Sequence, residues 1–485
     1  MLARRLFPGL EGPVQQLSGL DASFLYFETP NAPLHIGGLA IYDQSTAPGG
    51  IVTFKSILQN VEQRLHRARC FRQKLVEVPF DLDHPYWIED ADFDLEYHLR
   101  HIALPKPGDW RQLCIQVARL HSRPLDLTRP LWEMTVIEGL DHVPGLPAGS
   151  FGVVTKIHHA AIDGVSGSEL AAAIHDLEPE AKVPPPKRPW RPDPVPTLLE
   201  LGVRTTLHNL RSPFRIARLV GRSVPAIQRW RQQRAARPSE AADEVPRTRF
   251  NGVVSPHRVV EGRRFSLREI REIKKTVAGA TVNDAVIAIC GGALRRYLAA
   301  KDELPEQTLW AMTPISVRAT NERGAAGNQV SATTMAVRSD VADPAERLAL
   351  VTEGSQRSKE LSEAIGARLL TDYTQFIPGS LAGLAARVYT RFGIANRIRP
   401  FCNTVITNVP GPQVDLYWNR ARMVANYGLG PVMDGMGIIH AVFSYCGELT
   451  ITATACREML PDPAVYAECL EASFAELRAA TLGGD

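Results

Sequence analysis

Cysteine is scarce in this sequence, and none of it forms a paired motif. The 485 residues include 7 cysteines, and no two of them share a CxxC spacing. An odd and scattered set argues against a disulfide framework and a zinc site, and it suits a reducing cytoplasm. We therefore expect no bound metal. The cysteines are Cys70, Cys114, Cys290, Cys402, Cys446, Cys456 and Cys469.

The sequence also lacks long apolar runs and a strong net charge. It has no stretch of about 18 consecutive apolar residues. The apolar patch of the N-terminal stretch MLARRLFPGLEGPVQQ is short and interrupted by proline. We therefore expect neither a transmembrane helix nor a signal peptide, and any membrane contact should be peripheral. The net charge of +3 is small for this length and does not indicate a nucleic-acid partner.

Length and composition predict two globular domains. A chain of 485 residues is too long for one ordinary core, and 45% hydrophobic with 22% charged residues is typical of soluble globular proteins. Residues 1–180 and 250–485 each alternate strand and helix patterns. Examples are APLHIGGLAIYD as a strand, FKSILQNVEQRLHRA as an amphipathic helix, and MGIIHAVFSYCGELTITATAC as a hairpin around Gly447. The sequence therefore predicts two α/β halves.

Residues 181–249 differ from both halves and form the predicted connector. The proline-rich stretch EAKVPPPKRPWRPDPVP cannot form a helix interior or a central strand. Residues 198–237 are rich in arginine, nearly free of acidic residues, and predicted to be helical. Such helices often lie on anionic lipid or attract phosphate groups, including those of coenzyme A. The alternative is a helix face packed between the two halves.

The stretch VVTKIHHAAIDGVSG, residues 153–167, places two histidines at the end of a strand-like run. Successive side chains of a strand point to opposite faces, so His158 and His159 cannot both reach one cleft. We expect one to face outward for chemistry and the other to pack inside. Asp163 and Gly164 lie in the following turn, where an aspartate can cap a helix or pair with a buried cation. Glycine there permits a turn that a side chain would obstruct.

The residues alone allow several interpretations of this motif. A helix cap explains Asp163 but not the adjacent imidazoles. A metal site is weaker, because neighbouring strand residues diverge and no further ligand cluster is near. A serine hydrolase elbow fails because GVSGS does not have the GxSxG spacing. The remaining interpretation is a lone histidine that acts as a general base without a covalent nucleophile.

Several motifs together indicate a family. HHAAIDG fits HHxxxDG, the signature of the chloramphenicol acetyltransferase-like and condensation-domain superfamily. A PLW motif occurs at Pro130, Leu131 and Trp132, and an ND motif at Asn283 and Asp284. With LSGLDASFLYFETPNAPLHIGG, TPISVRATNERGAAGNQVS, TNVPGP and GLGPVMDGMGI, the chain resembles the bacterial wax ester synthase/acyl-CoA:diacylglycerol acyltransferases from about residue 17 to 470. The DFGWG motif of the plant acyltransferases is absent.

This resemblance implies a fold and a reaction. The implied fold is α/β, with two chloramphenicol acetyltransferase-like domains, each a mixed β-sheet flanked by helices, and an active-site tunnel at their interface. The implied enzyme is an acyl-CoA-dependent O-acyltransferase that uses a long-chain alcohol, diacylglycerol or both as acceptor. Acyl-CoA is then a co-substrate, and no cofactor is bound. A cytoplasmic protein that attaches peripherally to the inner membrane or to lipid droplets would suit these substrates.

The resemblance also implies residue roles. His159 would be the general base, His158 a structural residue, and Asp163 would orient the loop through an arginine. Asn283 and Asp284 either cap a helix or support the site from the second half.

Two further motifs have alternative roles. Thr407 and Asn408 either donate a hydrogen bond to a developing oxyanion or simply end a strand. Trp132 is either a core aromatic residue or, with Pro130 and Leu131, part of the scaffold of the acyl channel.

Two competing functions remain open from the sequence. One is a condensation-type acyltransferase that takes its acyl group from a carrier domain, although no carrier domain is present. The other is a catalytically silent protein that binds lipid droplets, which intact HHxxxDG and ND motifs disfavour.

Overall fold

The computed structural model of the chain describes residues 15–79, 82–162, 172–181, 183–186, 189–190, 192, 194–197, 199–206, 244–316, 330–365 and 388–483. Of the residues singled out above, Asp163 and Gly164 lie outside the described residues, as do residue 198 and residues 207–237 of the basic segment.

Both halves contain described strands and helices. The strands are β1 (Gln15–Gln16), β2 (His35–Asp43), β3 (Gln73–Val76), β4 (Tyr86–Glu89), β5 (Leu99–Ala103), β6 (Trp132–Glu138), β7 (Phe151–His158), β8 (Arg258–Ser266), β9 (Trp310–Ser316), β10 (Val330–Ala336), β11 (Thr404–Pro410), β12 (Tyr417–Trp418), β13 (Ala421–Leu429), β14 (Ile438–Tyr445) and β15 (Glu448–Cys456). The α-helices are α1 (Gly19–Phe27), α2 (Phe54–Arg64), α3 (Leu95–His98), α4 (Trp110–His121), α5 (Leu267–Lys275), α6 (Val282–Ala299), α7 (Pro344–Ile365) and α8 (Pro463–Leu482).

The main sheet of the first half has β7 near its centre. Within the described residues, its strand order is β12-β13-β2-β7-β6-β5. β7 is antiparallel to β2 and β6, while β5 and β6 are parallel, so the sheet is mixed. Strand alternation puts Val153 in the apolar cluster of Trp132 and Val154 in that of Leu113 from α4. Because both faces are covered, the end of β7 lies inside the molecule.

The second half is built on a similar mixed sheet with the order β10-β9-β11-β14-β15-β8. β11 runs parallel to β9 and β14, and the other pairs are antiparallel. β14 and β15 form the predicted hairpin, where Gly447 adopts a φ of 85° that favours glycine. α6 is buried in this core, and Ser473 of α8 donates a hydrogen bond to the carbonyl oxygen of Ile289 at 2.8 Å. The predicted α/β fold of two halves with mixed sheets is confirmed.

The second half also contributes strands to the first sheet. β13 pairs antiparallel with β2, from Arg422 opposite Asp43 to Leu429 opposite Gly37, and β12 pairs with β13. Residues 417–429, which the sequence analysis places in the second half, therefore pair within the sheet of the first half. The physical reason is that the open edge of β2 presents unpaired backbone groups, which β13 satisfies.

β13 connects the two sheets, because it also packs against β14 and β15. Helix α4 adds two polar contacts between the halves. Nε2 of His121 donates a hydrogen bond to the carbonyl oxygen of Gly430 at 3.0 Å, and the indole of Trp110 donates to the carboxylate of Glu261. The tunnel expected between the halves stays a prediction.

Candidate active site

The end of β7 holds His158 in a fixed orientation. Its backbone N–H donates to the carbonyl oxygen of Leu131 at 2.9 Å, and its side chain is fully buried. Nδ1 accepts a hydrogen bond from the backbone N–H of Ala160 at 3.1 Å, so the ring proton lies on Nε2. Nε2 is 2.8 Å from Oε2 of Glu28, to which it donates. His158 thus links the strand, the following turn and Glu28.

His159 begins the short 3-10 helix His159–Ile162 and has a different environment. Its backbone N–H donates to the carbonyl oxygen of Leu34 at 3.0 Å. The imidazole is partly exposed and stacks on the ring of Phe24, with centroids 3.8 Å apart and planes 14° apart. Nδ1 is buried and makes no hydrogen bond within the described part of the chain. The imidazole of His158 is therefore enclosed by protein, whereas that of His159 is accessible.

The environment of His159 favours the neutral ring. Burial lowers the pKa of His159 to about 4, and its own backbone carbonyl group partly opposes that shift. Nearby His158 lowers the pKa further. An imidazole with this pKa is unprotonated at neutral pH, so it can accept a proton.

Helix α1 supplies two residues that the sequence did not single out. Ser18 caps the start of the helix, its hydroxyl accepting a hydrogen bond from the backbone N–H of Asp21, and the helix packs on the segment 159–162. Phe24 on this helix stacks on His159, and Glu28 directly after the helix bonds His158. Both residues lie in the motif LSGLDASFLYFETPNAPLHIGG, but that motif does not indicate a contact with the histidines, because 130 positions separate Glu28 from His158.

The PLW motif lies in the core next to β7. Trp132 is 2% exposed, donates from Nε1 to the carbonyl oxygen of Phe71 at 3.0 Å, and stacks on His98. Pro130 and Leu131 are buried as well. This is the core packing that the sequence left open for Trp132, and the carbonyl group of Leu131 also supports His158. A role in an acyl channel stays a prediction.

The ND motif starts helix α6. Oδ2 of Asp284 accepts hydrogen bonds from the backbone N–H and the hydroxyl of Thr281, both at 2.8 Å, and the Thr281 hydroxyl accepts from the Asp284 N–H. These reciprocal bonds form a capping box. Oδ1 of Asp284 is buried and makes no bond within the described residues, while Asn283 is half-buried in the first turn. The geometry is that of a helix cap, and a role of Asn283 and Asp284 in supporting the site stays a prediction.

Thr407 and Asn408 lie near the carboxyl end of β11. They pair in parallel with Ala441 and Val442 of β14, and both are partly exposed, in contrast to the buried Ile406 before them. A contact with an oxyanion stays a prediction for both.

A second pair of histidines lies behind His158. His35 of β2 stands opposite His158, and its Nε2 donates to the carbonyl oxygen of His121 at 2.6 Å. The rings of His35 and His121 meet edge to face with centroids 4.7 Å apart. Burial lowers the pKa of His121 to about 4 and that of His35 well below its usual value. Both rings are therefore neutral at neutral pH.

The described ranges hold neither a cluster of metal ligands nor a membrane-spanning helix. They contain no group of three or more His, Cys, Asp or Glu side chains that could hold a metal ion. No helix within them is both long and apolar enough to cross a membrane.

Two family models match most of the chain. The wax ester synthase/diacylglycerol acyltransferase catalytic domain matches residues 17–286, and the WS/DGAT C-terminal domain matches residues 326–478. A Mycobacterium tuberculosis (strain CDC 1551) protein named for diacylglycerol O-acyltransferase activity is 36% identical over 450 residues, which cover 93% of this chain and 87% of that protein.

Solved structures agree with these matches. The wax ester synthase/diacylglycerol acyltransferase from Marinobacter aquaeolei VT8 has a TM-score of 0.67 and 27% identity, over 96% of this chain and 98% of that one. A starter condensation domain of rhizomide synthetase has a TM-score of 0.54 and 14% identity over 98% of each chain, which shows the shared fold. The HHxxxDG, PLW and ND motifs thus belong to a chain matched almost from end to end, which is a member of the wax ester synthase/diacylglycerol acyltransferase family and an acyltransferase.

Proposed function

We propose that this acyltransferase moves a fatty acyl group from acyl-CoA to the hydroxyl of a long-chain alcohol or of diacylglycerol. His159 acts as the general base, and no covalent acyl-enzyme forms. The observation that supports this proposal most strongly is the partly exposed imidazole of His159 beside the fixed ring of His158, in surroundings that lower the pKa of His159. Membership of the family and the names of its relatives support the two substrates.

The reaction needs a base because a hydroxyl is a poor nucleophile at neutral pH. Since Nδ1 of His159 is buried, Nε2 is the nitrogen that accepts the hydroxyl proton. The acceptor oxygen forms a bond with the thioester carbonyl carbon, and the tetrahedral intermediate collapses with cleavage of the C–S bond. The leaving thiolate of coenzyme A takes up the proton from the imidazolium. A thiol pKa of about 8.5, far below that of an alcohol, makes thiolate the better leaving group.

His158, Glu28 and Phe24 keep the base in position in this mechanism. His158 fixes the turn through the N–H of Ala160, and Glu28 fixes the tautomer that makes this bond possible. Phe24 covers one face of the His159 ring and keeps water from it. Acyl-CoA and the acceptor bind together, so that positioning supplies much of the rate enhancement.

The test is an assay of thiol release with the purified chain. Palmitoyl-CoA is incubated with hexadecanol or with dioleoylglycerol, and free thiol and the ester product are both followed. We expect thiol release that depends on an acceptor and that is lost in His159→Ala. No thiol release with any alcohol acceptor would overturn the proposal, and it would favour a silent lipid-binding protein or a carrier-dependent enzyme.

A further inference from the structure

An exposed patch of aromatic, aliphatic and basic side chains precedes β11. The large apolar members are well exposed, at 59% for Phe392, 48% for Ile398 and 67% for Phe401. Of three exposed arginines, Arg391 directly precedes Phe392, and Arg397 and Arg399 flank Ile398. We call this surface the 391–401 patch, and it consists of Arg391, Phe392, Arg397, Ile398, Arg399 and Phe401.

Its backbone is anchored to the second half. Ala395 is 3% exposed, and the guanidinium of Arg247 donates hydrogen bonds to the carbonyl oxygens of Ala395 and Ile398. The side chain of Asn396 accepts a hydrogen bond from the backbone N–H of Val253 at 3.2 Å. The exposed apolar side chains therefore extend from a turn in which the carbonyl groups of Ala395 and Ile398 already accept hydrogen bonds. A partner can bury these side chains without refolding of the turn.

The charge of the patch has one predominant sign. The sequence from residue 388 to residue 414 contains no aspartate or glutamate. Glu244 pairs with Arg399 at 2.6 Å, and both side chains remain largely exposed. Beside the patch, residues 244–247, Gln307 and residues 396–400 line a cleft of about 290 Å³. Arginine next to exposed phenylalanine and isoleucine is the composition of surfaces that lie on anionic lipid, with apolar groups at the acyl boundary and guanidinium groups at the phosphates.

We propose that the 391–401 patch docks this chain on the surface of an anionic phospholipid layer. Phe392, Ile398 and Phe401 enter the boundary between headgroups and acyl chains, and Arg391 and Arg397 contact the headgroup phosphates. The inference builds on the proposed function, because diacylglycerol and long-chain alcohols are dissolved in such layers. It differs from the basic segment 198–237, which the sequence had suggested for lipid contact.

Binding of the full chain to vesicles tests the patch directly. The vesicles contain either phosphatidylcholine alone or equal parts of phosphatidylcholine and phosphatidylglycerol, and flotation gives the partition coefficient. One variant combines Phe392→Ser with Phe401→Ser, and a second combines Arg391→Gln with Arg397→Gln. Ile51→Ser, at a position 68% exposed, and Arg268→Gln, also exposed, are matched controls elsewhere on the surface.

We expect each patch variant to lower partitioning onto the anionic vesicles by about tenfold. The controls should bind like the unmodified chain, and the arginine variant should change binding to neutral vesicles little. Wild-type partitioning of either patch variant would overturn the proposal. So would a shift from dimer to monomer in the phenylalanine variant with unchanged vesicle binding, because the patch would then be a contact between two copies.

The outcome is separable from the proposed function. Flotation needs no acyl transfer, so a chain that binds vesicles through the patch but releases no thiol would contradict only the proposed function. With the water-miscible acceptor hexan-1-ol, the patch variants should release thiol like the unmodified chain. With dioleoylglycerol in anionic vesicles, they should be about tenfold slower. Equal rates with vesicle-borne diacylglycerol would count against the patch as the docking surface.

Discussion

The phenyl ring of Phe24 lies flat against the imidazole of His159, with 3.8 Å between the centroids and 14° between the planes. This contact closes one face of the ring to water, and burial is the largest cause of the lowered pKa of His159. We therefore expect Phe24 to influence the pH range over which His159, the proposed base, is unprotonated.

Phe24→Ala is expected to raise the pKa of His159 from about 4 towards its ordinary value of about 6.5. A general base works only when unprotonated, so kcat/KM should fall about tenfold per pH unit below its pKa. For the unmodified chain kcat/KM should be flat between about pH 5 and pH 8, whereas for Phe24→Ala it should fall below about pH 6.5. Phe27→Ala, on the same helix and 50% exposed, is the control. If kcat/KM falls in the same way at low pH for all three proteins, this role of Phe24 is contradicted.

The two histidines should respond differently to removal. His159→Ala should lower kcat by about a hundred- to ten-thousandfold and leave the thermal midpoint nearly unchanged. His158→Ala leaves the Glu28 carboxylate and the Ala160 N–H without their partner, which should cost about 1–3 kcal/mol of unfolding free energy. Rates and thermal midpoints of both variants provide the comparison. Near-normal turnover of His159→Ala would exclude it as the base.

Glu28 should act on the rate only through His158. Glu28→Ala removes the acceptor for Nε2–H and loosens the turn that presents His159, so kcat should fall by up to about a hundredfold. Glu28→Gln keeps an oxygen acceptor and should recover most of that loss, with KM for the acyl donor unchanged in both. If Glu28→Gln is as slow as Glu28→Ala, the carboxylate charge matters more than the hydrogen bond, and the positioning role is wrong.

The stability of the chain should decrease on acidification. His121 and His440 are buried with a pKa of about 4, while an unfolded histidine titrates near 6.5. Between these values the unfolded chain binds more protons than the folded chain, so stability rises with pH across this window and is lost as the pH falls. Each such histidine contributes a slope of about 1.4 kcal/mol per pH unit.

Urea unfolding at several pH values between about 4.5 and 7 measures this slope. His121→Gln should reduce it by about one proton while keeping a donor for the carbonyl group of Gly430. A slope that is the same with and without His121 would show that this ring does not titrate as its burial requires.

Local pattern explains what the sequence predicted correctly. Strand alternation predicted different surroundings for His158 and His159, although β7 ends at His158 and His159 already begins a 3-10 helix. The β14–β15 hairpin follows from its apolar run and Gly447. The helix cap at Asp284 was an open alternative for the same local reason. Contacts between residues that are far apart in the sequence leave no local pattern. Glu28 reaches His158 across 130 positions, and β13 joins β2 only because the second half folds back over the first.

This return of β13 requires close packing at Gly428, which yields a last prediction. A Cβ there would lie 2.4 Å from a ring carbon of Phe443 and 2.9 Å from the Cβ of Ala441, both on β14. Gly428→Ala should therefore force β13 away from β14 and cost about 1–3 kcal/mol of unfolding free energy. Gly354→Ala, in helix α7 with open space around its Cβ, should instead stabilise by up to about 1 kcal/mol. β13 belongs to the same sheet as β7, the strand that ends at His158. Gly428→Ala should therefore lower kcat as well, while Gly354→Ala should not. Denaturant midpoints and thiol release on the two variants decide this, and equal stability of both would mean that the halves are not joined tightly through β13.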